Sequence, residues 1–156
     1  MQLSKTVTLL EATRNSRNIP NTPNEAQIAS MRELCVNIVD RVRERYKVVI
    51  TSLFRGSTLN TAVGGSRTSQ HTTGEAVDLD CDNNDDVFFF IKDNLEFDQL
   101  IAEGVDNNGK PRWIHCSFSR RRNRKQVLIA TFNSRGKATY LPYSVAQWNS
   151  IYAMKK

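Results

Sequence analysis

The 156-residue sequence has little of what marks a membrane protein or a disulfide-stabilised one. No apolar run approaches the roughly 18 residues that a membrane-spanning helix requires, so insertion into a membrane is excluded. The three cysteines, Cys35, Cys81 and Cys116, are too few and too scattered for a disulfide framework or a CxxC metal site. The first residues are mixed and polar and lack the apolar segment of a secretory signal, so we expect synthesis in the cytoplasm.

Acidic residues are missing from the last third of the chain. Residues 107–156 contain 11 Lys and Arg and no Asp or Glu, whereas residues 1–106 contain 11 basic and 16 acidic residues. A basic end of this kind first suggests a polyanionic partner such as nucleic acid. However, the sequence contains no recognisable helix-turn-helix, zinc finger or basic strand interleaved with aromatic residues, which argues against nucleic acid.

Apolar periodicity predicts a single α+β domain over residues 1–156, with no internal repeat and no linker. A helix is expected to begin at Thr22 with a capping box completed by Glu25, and to end near Tyr46. A second helix is expected over 84–94, capped by Asn84. Strands are predicted over 48–51, 76–80, 97–103, 113–119, 126–132 and 137–141, and this order favours a largely antiparallel sheet with flanking helices.

Histidine is scarce, and both copies have suggestive neighbours. His71 ends a polar stretch over 54–73, Asp78 follows on the next predicted strand, and His115 lies within the strand 113–119. Imidazole nitrogens and a carboxylate oxygen are ligands of Zn²⁺, and catalytic zinc sites typically use three protein ligands. Spacing alone leaves this open, because a lone histidine is more often a hydrogen-bonded structural residue.

Two motifs strengthen the metal interpretation. Residues 69–78 match the pattern S-x-H-x-x-G-x-A-x-D at every fixed position, and residues 113–117 match W-x-H-x-S. The chain therefore resembles the zinc D-Ala-D-Ala carboxypeptidases and L-alanyl-D-glutamate peptidases, which share the hedgehog/DD-peptidase fold and cut bacterial cell-wall peptides. Segments 51–55 and 59–65 resemble the small phage and prophage branch of that family, and the likeness runs from about Val7 to Phe118.

The resemblance implies a zinc site and the residues around it. It assigns His71, Asp78 and His115 as the ligands of Zn²⁺. It gives Arg55 the task of binding a substrate carboxylate or of steadying the developing oxyanion. Ser69 and Gln70 are expected to line the cleft and to hydrogen-bond the substrate or a ligand.

The general base is the point at which the sequence departs from the better-known relatives. Many of them carry an acid three residues before the last histidine, where this chain has Arg112, which cannot accept a proton. We favour Glu103 as the base, since a hairpin would bring it beside His115, although an ordinary acid at a strand end is the alternative. Glu75 and Glu96 are weaker candidates.

Three further residues near the motifs are assigned smaller roles. Asp80 is either a hydrogen-bond acceptor that orients a ligand imidazole or a solvated acid. Trp113 is expected to pack beneath the metal. Cys116 is expected to be buried and to face away from His115, because successive side chains of a strand point to opposite faces.

The resemblance implies a zinc-dependent peptidoglycan peptidase, either a carboxypeptidase or an endopeptidase, acting on stem peptides or cross-links. We expect a monomeric phage or prophage endolysin, released from the cytoplasm to act on the cell wall, or a virion-associated enzyme. The alternative is a non-catalytic zinc-binding structural or binding protein of the same fold. The basic run over 119–125 is either a solvated hairpin loop or a surface attracted to the anionic wall.

Overall fold

The computed structural model describes residues 1–152, so the basic end of the chain at Lys155 and Lys156 lies outside the described residues. Six strands and several short helices follow one another along the chain. Their bounds are α1 (Leu9–Thr13), α2 (Glu25–Leu34), a π-helical segment (Cys35–Val39), α3 (Asp40–Arg43), β1 (Val49–Ser52), α4 (Ser57–Ala62), a 3₁₀ segment (Gln70–Thr73), β2 (Ala76–Asp80), α5 (Asn84–Asn94), β3 (Gln99–Glu103), β4 (Trp113–Ser117), β5 (Gln126–Phe132), β6 (Ala138–Pro142) and α6 (Val145–Ile151).

The strands form one sheet in the order β1-β2-β4-β3-β5-β6, which confirms the predicted α+β class. Every neighbouring pair is antiparallel except β3 and β5, which run parallel, so the sheet is mixed. The basic run 119–125 is therefore not a hairpin loop, because it carries the chain from β4 across the end of β3 to β5. The crossing is held by backbone hydrogen bonds from Lys125 N to Phe97 O and from Gln126 N to Asp98 O.

The helix starts differ from the predicted caps. Asn24, not Thr22, caps α2: its side chain accepts a hydrogen bond from Gln27 N, and its backbone N–H donates to Gln27 Oε1. The capping box predicted with Glu25 is wrong because Asn24 is an equally good cap and has Gln at the third helical position. The helical path then continues through the π-helical segment and α3 to Arg43.

Helix α5 has the predicted bounds, but its expected cap is also wrong. The side chain of Asn84 accepts from Cys81 N at 2.9 Å and donates to Asp80 Oδ1 at 2.7 Å. It also donates to the backbone carbonyls of Pro111 and Arg112. Asn84 therefore links the end of β2 to the start of β4, and the N-terminus of α5 has no side-chain cap among residues 1–152.

Successive side chains of β3 and β4 point alternately into the hydrophobic core and to the opposite face of the sheet. Leu100 and Ala102 of β3, like Ile114 and Cys116 of β4, are fully buried in the hydrophobic core. Cys116 thus faces away from His115, as predicted, and burial raises the pKa of its thiol well above the usual range. The intervening residues of both strands face a cleft on the other side of the sheet.

Helices α1 and α6 lie outside the helices predicted from the sequence. Helix α1 contacts β1, and Ala12 O accepts a hydrogen bond from Phe54 N. Helix α6 packs through Trp148, whose ring is 4.9 Å from that of Phe88 on α5. Within residues 1–152 no helix combines the length and the apolar character needed to cross a bilayer.

Candidate metal centre and active-site cleft

Strand pairing brings two of the three expected zinc ligands together. Asp78 on β2 lies directly opposite His115 on β4, so both side chains project from the same face of the sheet. Their atoms Oδ1 and Nδ1 are 3.1 Å apart. The second carboxylate oxygen of Asp78 lies 3.4 Å from Nε2 of His71. Asp78 therefore stands between the two imidazoles.

The third residue, His71, is held by the 3₁₀ segment beside the sheet. The Ser69 hydroxyl accepts a hydrogen bond from His71 N, and Gly74 ends the segment in the left-handed conformation. Nδ1 of His71 lies 2.7 Å from the carbonyl oxygen of Leu53. Because a carbonyl only accepts hydrogen bonds, Nδ1 carries the proton and Nε2 is left to bind a metal.

The donor set fits zinc. One ligand atom from each of His71, Asp78 and His115 lies within 4.8 Å of the other two. Tetrahedral zinc, bound at about 2.0–2.2 Å, places neighbouring donors about 3.4 Å apart. Two neutral imidazoles and one carboxylate also leave a fourth position for a further ligand. Without a metal, burial acts to raise the pKa of Asp78, but the hydrogen bonds of the two histidines, and their charge when they are protonated, outweigh burial and lower it.

Glu103 lies in the same cleft, on strand β3 next to β4. It pairs with Trp113, which is two residues before His115 on the cleft face of β4, and Glu103 is only 9% exposed. Oε2 of Glu103 accepts a hydrogen bond from Trp113 Nε1 at 3.0 Å. Burial, together with the negative charge of Asp78, raises the pKa of Glu103 to about 7. The hairpin thus brings a carboxyl group with a near-neutral pKa close to the candidate metal centre.

Arg55 projects into the cleft from the segment after β1. Its backbone N–H donates to the carbonyl of His71, so its position is coupled to that of the histidine. Its Nε is buried and has no hydrogen-bond partner among the described residues. Burial lowers the pKa of Arg55, and Asp78 and Glu103 oppose that effect. A guanidinium with an unused buried donor suits an anionic ligand.

Of the remaining candidates, the two residues expected to contact substrate line the cleft, and the two weaker candidates for the base do not. Ser69 and Gln70 line the cleft, but Gln70 Nε2 is committed to Asp98 Oδ2 at 2.9 Å. Glu75 accepts from Thr73 Oγ1 and does not line the cleft. Glu96 is exposed and lies 3.7 Å from Lys125 Nζ, also away from the cleft.

Two minor expectations are corrected. Asp80 accepts a hydrogen bond from Asn84 and makes none to a histidine ring in the described part of the chain, so it does not orient a ligand imidazole. The backbone carbonyl of Leu53 orients the ring of His71 instead. Because every residue type has this carbonyl, the sequence does not indicate its role. Trp113 does not simply pack beneath the metal, since its indole lines the cleft and donates to Glu103.

The cleft has a volume of about 750 Å³ and extends well beyond the candidate metal centre. Its floor continues across β3, β5 and β6, where Ile101 pairs with Leu128, and Gln99 with Gln126. Tyr140 on β6 lines it as well, next to Ala130, which is paired with Glu103. The sequence predicts strands over 126–132 and 137–141, but no motif in them indicates that they line the cleft.

The comparison with known families agrees with this geometry. A family model described as Peptidase M15 matches residues 5–117, which include the candidate ligands and Glu103. No curated protein matches the chain at a significant level. The family match confirms the resemblance stated above and covers well over half of the sequence. The chain therefore belongs to the peptidase M15 family of zinc-dependent metallopeptidases.

Proposed function

We propose that this chain is a zinc-dependent peptidase that hydrolyses an amide bond in the stem peptides or cross-links of peptidoglycan. The observation that carries the proposal is the placement in one cleft of three zinc-type donors, a buried carboxyl group and a guanidinium whose buried Nε has no partner within residues 1–152. No single member of this set is specific to a peptidase. Together they supply a metal site, a proton acceptor and an anion-binding donor, which amide hydrolysis requires.

The metal would be held by His71, Asp78 and His115. When bound, zinc supplies a Lewis acid that polarises a peptide carbonyl and makes water a better nucleophile near neutral pH. The hydrogen bond from His71 Nδ1 to the Leu53 carbonyl fixes the ring so that Nε2 faces Asp78. Such an orienting bond limits the loss of side-chain entropy on metal binding.

Glu103 is the proposed general base. Its carboxylate accepts a proton from the attacking water and passes it to the leaving amine as the C–N bond breaks, so that the carboxylate is regenerated after each cycle. A pKa raised to about 7 suits both transfers, because the group gains and loses a proton readily at neutral pH. The Trp113 indole holds the carboxylate in place from the neighbouring strand.

Arg55, Ser69 and Gln70 are the proposed substrate contacts. The guanidinium of Arg55 binds a substrate carboxylate or the oxygen on which negative charge develops. Because Gln70 Nε2 is bonded to Asp98, the atom of Gln70 that remains for a peptide N–H is Oε1. Ser69 already accepts from His71 N, and its hydroxyl proton is available to a substrate carbonyl.

The resemblance of segments 51–55 and 59–65 to the phage branch supports a biological role as an endolysin or as a virion-associated wall hydrolase. An endolysin meets peptidoglycan after release from the cytoplasm, whereas a virion-associated enzyme meets it as part of the phage particle. The same cleft serves a carboxypeptidase or an endopeptidase, because both reactions use one metal and one base.

The test combines zinc content with cleavage of purified peptidoglycan. Wild-type protein is expected to contain one zinc per chain and to release new amino groups from the polymer. His71→Ala should lose both properties, whereas Glu103→Gln should keep the zinc and lose cleavage by at least about 100-fold. Glu96→Gln, a matched change of an exposed acid outside the cleft, should behave as wild type.

Each failure has a separate meaning. Absence of zinc from the wild type would overturn the metal site. Zinc without cleavage of any peptidoglycan would favour the non-catalytic protein, an alternative kept open by Arg112 in the place of the acid that better-known relatives carry. Equal activity in Glu103→Gln would refute only the choice of base.

A further inference from the structure

Arg124 lines the cleft at the end away from Glu103, and a buried carboxylate holds it in place. Its Nε and Nη2 donate to Oδ1 and Oδ2 of Asp98, both at 2.9 Å, and its backbone N–H also donates to Oδ1. Asp98 is 5% exposed and receives a further hydrogen bond from Gln70. The arginine side chain is therefore fixed from one side by a carboxylate whose oxygens are fully used.

The opposite edge of the guanidinium is available to a ligand. The bond pattern with Asp98 uses Nε and one proton of Nη2, which leaves Nη1 and the second proton of Nη2 directed away from Asp98. Nη1 makes no hydrogen bond to any residue between 1 and 152, and the side chain is 45% exposed. Two parallel N–H donors on one edge are the geometry that binds a carboxylate with two hydrogen bonds.

The charge of the cleft lining favours an anion at this end. The acids that line the cleft are Asp78 and Glu103, and both lie at the candidate metal centre. Around Arg124 the lining consists of neutral polar side chains, among them Gln70, Gln99 and Gln126. A carboxylate placed here meets hydrogen-bond donors, and the neighbouring acid Asp98 is bonded to the other edge of the guanidinium.

The register of the sheet gives the distance between the two ends of the cleft. Ile101 lies opposite His115, and Asp98 is three residues earlier in the same extended segment. At about 3.3 Å per residue, the Arg124 guanidinium lies on the order of 10 Å from the metal-binding end. An extended peptide covers that distance with about three residues.

We propose that Arg124, oriented by Asp98, binds a carboxylate of the peptide substrate about three residues from the bond that is cut. The assignment of a peptide substrate rests on the function proposed above. Arg124 lies beyond residue 117, where the family match ends, so the specificity comes from the part of the chain that builds β5 and β6. Apart from the C-terminal carboxyl, peptidoglycan stem peptides offer two such groups, the α-carboxyl of D-glutamate and the side-chain carboxyl of diaminopimelate.

The test uses two pairs of soluble stem pentapeptides. In the first pair the α-carboxyl of D-glutamate is free or amidated, and in the second the side-chain carboxyl of diaminopimelate is free or amidated. In one pair, wild-type enzyme is expected to prefer the free acid by about 10- to 100-fold in kcat/KM. The pair that shows this preference identifies the source of the carboxylate.

The variants separate direct recognition from general charge and from folding. Arg124→Gln should reduce the preference to about 1, because the two-donor edge of the guanidinium is lost. Arg124→Lys keeps a positive charge beside Asp98 and should lose most of the preference, because an ammonium lacks the two-donor edge. Arg135→Gln removes the same charge from an exposed turn outside the cleft and should keep the wild-type preference.

The same pairs are also titrated against each protein by calorimetry, which requires no cleavage. If the wild type cleaves nothing yet binds one free acid at least about 10-fold more tightly than its amide, and Arg124→Gln does not, the proposed function fails and the carboxylate site stands. Equal binding and equal cleavage of free and amidated peptides by the wild type would overturn the carboxylate site. A preference that survives in both Arg124 variants would do the same.

Discussion

The indole nitrogen of Trp113 donates a hydrogen bond of 3.0 Å to the carboxylate of Glu103 from the directly opposing position of the neighbouring strand. This bond favours the charged form of Glu103, whereas burial and the charge of Asp78 favour the neutral form. The balance places the pKa at about 7, where the group is able both to accept and to release a proton.

Replacing Trp113 with Phe removes the donor and keeps most of the packing. Because the lost hydrogen bond had lowered the pKa of Glu103, the pKa rises, by up to about 1 unit for a bond of about 1 kcal/mol. A base works only when deprotonated, so the acidic limb of the profile of kcat/KM against pH should move to higher pH by that amount. A limb that stays in place would show that another group governs it.

Zinc should stabilise the folded chain through the three clustered donors. At a free zinc concentration 100 times the dissociation constant, the expected gain is about 2.7 kcal/mol in the free energy of unfolding. For a chain of this size that corresponds to a rise of about 8 °C in Tm, measured by differential scanning calorimetry. EDTA should reverse the rise and His71→Ala should abolish it. An equal rise in His71→Ala would place the zinc elsewhere.

Much of the fold follows from local patterns, and the rest depends on long-range pairing. The bounds of α5 and the β3–β4 hairpin could be predicted because a run of apolar residues and an Asn- and Gly-containing turn specify them locally. The parallel pairing of β3 with β5 could not, since it joins segments that are distant in sequence, as does the accompanying bond of Arg124 to Asp98 across 26 positions. A tertiary hydrogen bond of this kind leaves no periodic signal.

Some residues of the candidate site can likewise be predicted from the sequence, and others cannot. His71, Asp78 and His115 stand in motifs whose spacing is readable, and the structure brings all three together. The orienting acceptor of His71 is the backbone carbonyl of Leu53, which any residue type would supply. Arg124 was hidden in a basic run that resembles a solvated loop, because its function depends on its position at the cleft rather than on its type.

The ion pair of Asp98 with Arg124 should make stability depend on pH in the acid range. The side-chain hydrogen bond from Arg124 is the largest influence on Asp98 and lowers its pKa to about 2. A folded-state pKa below the unfolded value of about 3.9 means that the stabilisation is complete above about pH 4 and is lost as the pH falls towards 2. The pair therefore contributes at neutral pH and little at pH 2.

Asp98→Asn tests this directly. At pH 7 the variant should lose about 2 kcal/mol in the free energy of unfolding, because the Arg124 fork then faces a neutral amide. The difference from wild type should shrink between pH 4 and pH 2, where the wild-type carboxylate becomes protonated. Urea denaturation at pH 7, 4 and 2.5 measures it, and a difference that stays constant across that range would exclude the ion pair as its cause.

Gly74 ends the segment that carries His71, at φ +78° and against helix α2. A Cβ there would lie 2.7 Å from the backbone oxygen of Gln27, so Gly74→Ala adds a backbone clash to the strain of a positive φ. Gly136 has φ +79°, but a Cβ added there would have no described atom within 4 Å. Gly136→Ala therefore adds backbone strain without a clash. We expect the free energy of unfolding to fall by about 3 kcal/mol in Gly74→Ala and by about 1 kcal/mol in Gly136→Ala, measured by urea denaturation.

Gly74→Ala should also weaken zinc binding, since relief of the clash moves His71, whereas Gly136→Ala should not. Equal losses of stability in the two variants would show that the close approach to Gln27 adds no clash. Unchanged zinc binding in Gly74→Ala would show that it does not constrain the metal site.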